Sequence, residues 1–60
     1  MNVIELVLKD IDDAIERRKD ALASGHITDF AEYRHLVGII AGLTSASERI
    51  KDLMKYEEDN

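Results

Sequence analysis

The chain has 60 residues and carries 13 acidic against 8 basic side chains, a net charge of −5. This length allows one domain with a small core, and the acidic balance argues against nucleic acid or an anionic membrane as a direct partner. Cysteine and proline are both absent, so no disulfide framework supports the fold and no proline interrupts a helix.

The first predicted element is an amphipathic helix. Apolar residues recur at helical spacing from Ile4 to Leu22, and only Arg18 interrupts the stripe. Asn2 and Glu5 have the spacing of a capping box at the start of a helix. Gly25 suits the left-handed position that follows a helix end. The pattern predicts a helix over about residues 3–23, followed by a turn at 24–28.

The second predicted element is a longer amphipathic helix. Either Thr28 or Asp29 serves as its N-cap, and Glu32 completes a second capping box. Phe30 and Tyr33 open this helix and are expected to pack over the end of the first helix as core. The helix is predicted over about residues 29–56, with a frayed acidic tail at 57–60.

The short connection makes the two helices antiparallel neighbours. The fold class is therefore all-α, a single two-helix hairpin over residues 1–60, in which the numbers of facing residues add up to about 53. The predicted core consists of Val7, Ile11, Ile15, Leu36, Ile40, Leu43 and Ile50. One seam gives a thin core, so we expect completion by oligomerisation, most simply a dimer forming a four-helix bundle, or by docking on a larger protein.

The second helix also carries the predicted partner interface. Gly38 and Gly42 each cost about 1 kcal/mol in a helix interior and lie opposite the core stripe, where small residues admit a close-packed helix. The alternative is a tolerated exposed stretch or the site of a gentle bend. In the predicted register the end of this helix extends beyond the first. The predicted interface consists of Gly38, Ala41, Gly42, Ser45, Leu53, Met54 and Tyr56.

The sequence contains residue types that form metal and catalytic sites, but these residues lack the arrangement that such sites require. His26 and His35 lack the spacing of metal ligands. Asp12, Asp13 and Glu16 are close together, but a small hairpin offers no sheltered cleft to shift their pKa values. We therefore expect no catalytic, cofactor or metal site, and no enzyme activity.

A secretory signal and a membrane span are not expected either. The apolar start of the chain is broken by Glu5 and stopped by Lys9. The longest apolar run, residues 36–43, is far shorter than the roughly 20 residues that cross a bilayer.

Residues 29–43 read DFAEYRHLVGIIAGL, and this segment resembles a group of short helical-hairpin proteins of tailed bacteriophages. Those proteins have a charged first helix, a glycine turn and a segment of the type DFxEYRxLVGxIxGL, so that the resemblance covers about two-thirds of the chain. The group is uncharacterised or associated with the head and connector. The resemblance carries over no catalytic residue.

The resemblance implies a non-enzymatic structural or assembly component of a phage particle, located in the host cytoplasm, in the virion, or in both. Its partners would be itself or a head or portal protein, bound through apolar helix faces. The alternative is a small acidic phage protein that inhibits a host nucleic-acid enzyme by imitating DNA phosphates. The acids that would do so are Asp10, Asp12, Asp13, Glu16 and Asp20.

Overall fold

The computed structural model describes residues 2–25 and 27–59. They form two helices, α1 (Val3–Ala23) and α2 (Phe30–Asp59), which pack side by side in an elongated hairpin of 48 × 19 × 13 Å. These described residues contain no strand. The predicted all-α helical hairpin is confirmed.

The ends of α1 are set by local hydrogen bonds. The Asn2 side-chain oxygen accepts a hydrogen bond from the Glu5 amide at 2.8 Å, which satisfies one of the free N–H groups of the first turn. At the other end, the Ser24 amide donates to the Asp20 carbonyl at 2.9 Å. Gly25 follows with φ of +78°, a conformation that glycine adopts without strain. The predicted cap residue and the predicted turn glycine are both confirmed.

The start of α2 is fixed by Asp29, whose side chain accepts a hydrogen bond from the Glu32 amide at 2.7 Å. This bond identifies Asp29, rather than Thr28, as the N-cap. The helix then runs to Asp59, beyond the predicted end near residue 56. Of the predicted frayed tail at 57–60, residues 57–59 are helical and Asn60 lies outside the described residues.

The register between the helices differs from the prediction. Asp12 of α1 faces Ser47 of α2, and at the open end Ile4 and Met54 line the same small cleft. Facing residue numbers therefore add up to about 59 rather than 53. In this register the first turns of α2 run beyond the end of α1 rather than beside it.

The core of the hairpin is thin. Ile15 and Leu36 are the buried apolar residues among those described, at 8% and 9% exposed, and the most buried side chain is the polar Ser47 at 2%. Four further members of the predicted core are half-buried: Ile11, Ile40, Leu43 and Ile50.

Val7 is the exception, because it is 42% exposed and lies outside the core. The rotation of side chains around α1 explains why Val7 is exposed. When Ile15 points at α2, helical geometry turns Val7 about 80° away from the seam, and Leu8 is half-buried next to it instead.

Candidate interaction surfaces

The seam between the helices divides the hairpin into two long faces of opposite character. One face contains a groove with charged walls, which we call the charged groove. It is lined by Asp12, Ile15, Glu16, Lys19, Thr44, Ser47, Glu48 and Lys51.

A polar cluster in the charged groove links the two helices. The Ser47 hydroxyl donates to an Asp12 carboxylate oxygen at 3.0 Å, and the Lys51 ammonium lies 3.8 Å from the other oxygen. Ser47 is almost fully buried and Asp12 is half-buried. A hydrogen bond to a charged acceptor contributes about 1.5–3 kcal/mol, more than a bond between neutral groups. The cluster therefore favours one register of α1 against α2.

Two more acids of α1 are paired with lysines of the same helix. Lys9 contacts Asp13 at 3.0 Å, and Lys19 contacts Glu16 at 3.9 Å. Both pairs are exposed, so each adds little stability. With Asp12, these pairs place a lysine beside three of the five acids that would imitate DNA phosphates. This pairing favours an ordinary solvated face.

The opposite side of the seam is apolar, and we call it the apolar face. Its side chains are found by counting about 100° per residue from Ile15 and Ser47, away from the charged groove. They are Val3, Val7, Ile11 and Ala14 of α1, and Ile39, Leu43, Ala46, Ile50 and Leu53 of α2. The members range from half-buried to exposed, and Arg18 interrupts the face near the turn. The exposed members of this face are Val3, Val7, Ala46 and Leu53.

A smaller apolar surface lies at the start of α2, and we call it the aromatic cluster. It consists of Phe30, Tyr33 and Val37, which are all exposed. The rings of Phe30 and Tyr33 stack with their centroids 6.2 Å apart. The prediction that these two residues form core is wrong, because α1 has already ended at Ala23 where they lie. Sequence reasoning missed this surface, which depends on the register.

The predicted partner interface is divided between several surfaces. Its four small residues are exposed on the side of α2 that points away from α1, and a Cβ built on Gly38 or Gly42 meets no atom within 4 Å. Tyr56 is exposed on the same side, whereas Leu53 lies at the edge of the apolar face. Met54 is half-buried beside Ile4, so the prediction that it overhangs α1 is wrong.

The remaining candidate features are the two histidines, a metal site and a membrane span. His35 is exposed, and His26 lies outside the described residues. Within residues 2–25 and 27–57, no group of three or more histidine, aspartate or glutamate side chains is arranged to hold a metal ion. Neither α1 nor α2, as far as they are described, combines the length and the apolar character that a membrane span requires.

Comparison of the chain with family models, with curated proteins and with solved structures gives no significant match.

Proposed function

We propose that this chain is a non-enzymatic assembly component of a tailed-phage particle, which works by packing its apolar helix surfaces on itself or on a head or portal protein. The observation that carries the proposal is the uncovered apolar face, which runs along both helices and is interrupted by Arg18 near the turn. Large exposed apolar patches are typical of protein interaction sites. The phage context comes from the resemblance of residues 29–43 to short phage proteins.

The thin core supports the same proposal. Ile15 and Leu36 are the two buried apolar side chains among the described residues, and a chain of this size needs additional burial, a disulfide or a metal for stability. Cysteine is absent from the sequence. Burial against a partner is a further source of stability, and the apolar face offers the surface for it.

The aromatic cluster offers a second contact surface that lies apart from the apolar face. Phe30 and Tyr33 present stacked rings to solvent, and aromatic side chains are enriched among the residues that dominate binding energy. A protein with two separate apolar surfaces can bridge a copy of itself and a second protein. This arrangement suits an assembly component.

The test is to purify particles of the virus that encodes the chain and to measure the content of this protein before and after washing at about 1 M salt. We expect the protein to stay with the particles, because apolar contacts are not screened by salt. Absence from purified particles would contradict the proposal. The inhibitor alternative predicts instead that the protein is recovered with a host nucleic-acid enzyme and is released steeply as salt rises.

A further inference from the structure

We infer that the apolar face is covered by a second copy of this chain, so that two hairpins form an antiparallel four-helix bundle with both charged grooves on the outside. This inference deepens the proposed function, on which it rests, by naming the first partner of the apolar face and the residues that meet it.

The accessible surface of the single chain indicates how much area is missing. The hairpin exposes 4816 Å², whereas a compact monomer of 6.8 kDa exposes about 4000 Å². The excess, about 800 Å², equals the area that each partner contributes to a stable interface of standard size. A second copy that covers the apolar face would bring the chain to the exposure of an ordinary folded protein.

The shape of the apolar face suits a copy of itself. It is a single layer of two antiparallel helices, and two such layers packed together form a closed four-helix bundle. In a twofold arrangement each copy contributes the same surface, which is the commonest symmetry of protein oligomers. A second copy can therefore cover the apolar face without a partner of different structure.

The distribution of charge permits this contact between two acidic chains. Although each copy carries a net charge of −5, the acids Asp12, Asp13 and Glu16 lie on the groove side or the back of α1, beside their lysines. Apart from Arg18, the residues that we assign to the interface are apolar, so few carboxylates face each other at close range.

The position of Arg18 favours one of the two possible orientations of the dimer, parallel or antiparallel. It lies near the turn end of the apolar face, away from the middle. In a parallel twofold dimer the two Arg18 side chains would lie at the same end of the interface, on diagonally related helices, where their like charges repel. In an antiparallel dimer they lie at opposite ends of the interface, and this arrangement is therefore favoured.

The test uses sedimentation equilibrium of the whole chain over a range of concentrations. We expect the wild type to show twice the monomer mass of 6.8 kDa. Val7→Glu places a charge in the interface and should raise the dimer dissociation constant about tenfold or more. The matched control is Leu6→Glu, on the same helix and similarly exposed, but on the side of α1 away from α2. This control should change the dissociation constant by less than about threefold.

A second matched pair repeats the comparison on α2. Ala46→Glu enters the apolar face, while Ser45→Glu lies on the back of the same helix, and both positions are exposed in the single chain. The expected result is a weakened dimer for Ala46→Glu alone. Circular dichroism of each variant at concentrations above its dissociation constant checks that the helices remain formed.

The inference is overturned if the wild type stays a monomer at every concentration, or if the members of each pair have equal effects. Its failure can be told apart from that of the proposed function. A monomer that is found in purified particles contradicts the dimer alone, and loss of Val7→Glu from those particles would assign the apolar face to another protein. A dimer that is absent from particles contradicts the proposed function alone.

Discussion

The charged groove and the apolar face are built from the same two helices, on either side of one seam. They differ in how their side chains are satisfied. In the groove, Ser47 and Lys51 of α2 reach Asp12 of α1, so the polar groups are satisfied within the chain or by water. None of the residues that the structure describes covers the apolar face. The polar side of this hairpin therefore links its helices in one register, while the apolar side leaves apolar side chains exposed in the single chain.

The largest effect is expected where both faces meet, at the buried seam. Ile15→Asp places a carboxylate at a position that is 8% exposed, where an unpaired charge loses its hydration. We expect the cooperative thermal transition measured by circular dichroism to disappear. Leu6→Asp adds the same charge at an exposed position and should retain the transition. Cooperative melting of Ile15→Asp would contradict the assignment of the core.

A smaller loss is expected when the groove loses its link between the helices. Ser47→Ala removes the hydroxyl that donates to Asp12, and the free energy of unfolding in urea should fall by about 1–2 kcal/mol. Ser45→Ala is the matched control, because it gains the same helix propensity at an exposed position and should not be destabilised. Equal effects of the two changes would remove the hydrogen bond from the account of the register.

The two kinds of glycine in this chain should respond in opposite directions. Gly38 is helical and a Cβ there meets no atom within 4 Å, so Gly38→Ala should stabilise the fold by about 0.5–1 kcal/mol. Gly25 has a positive φ, and Gly25→Ala should destabilise the fold by about 1 kcal/mol. Urea unfolding measures both.

Gly38→Leu extends this test to the back of α2. It should leave the dimer dissociation constant unchanged if association uses the apolar face. A weakened dimer would instead support the predicted small-residue interface.

The smallest effect is expected from salt. Raising the salt concentration from about 0.1 to 1 M screens the repulsion between two acidic copies and leaves apolar contacts intact. The dimer dissociation constant should therefore stay constant or fall slightly, as measured by sedimentation equilibrium. A steep rise with salt would show that charged groups, rather than the apolar face, hold the copies together.

The local features of the fold could be predicted from the sequence because they depend on neighbouring residues. The Asn2 cap, the Asp29 cap and the turn at Gly25 each involve groups within a few positions along the chain. The helical apolar spacing likewise determined that two helices form and that each buries one side. The same spacing predicts Ile15 and Leu36 as core, and both are buried.

The candidate site was only partly predictable, because it depends on how α1 and α2 align. The hydrogen bond that favours this alignment joins Asp12 and Ser47, which are 35 residues apart. The observed register places Met54 beside Ile4 rather than in the predicted overhang. It also places Phe30 and Tyr33 beyond the end of α1.

The sequence by itself determined two amphipathic helices, their caps and a core too thin for a chain of this length. The tertiary structure alone decided which side of the seam is charged and which side is apolar and open to solvent. The physical reason is that helix formation follows from interactions within one turn of the chain, whereas a surface shared by two helices exists only once their register and rotation are fixed.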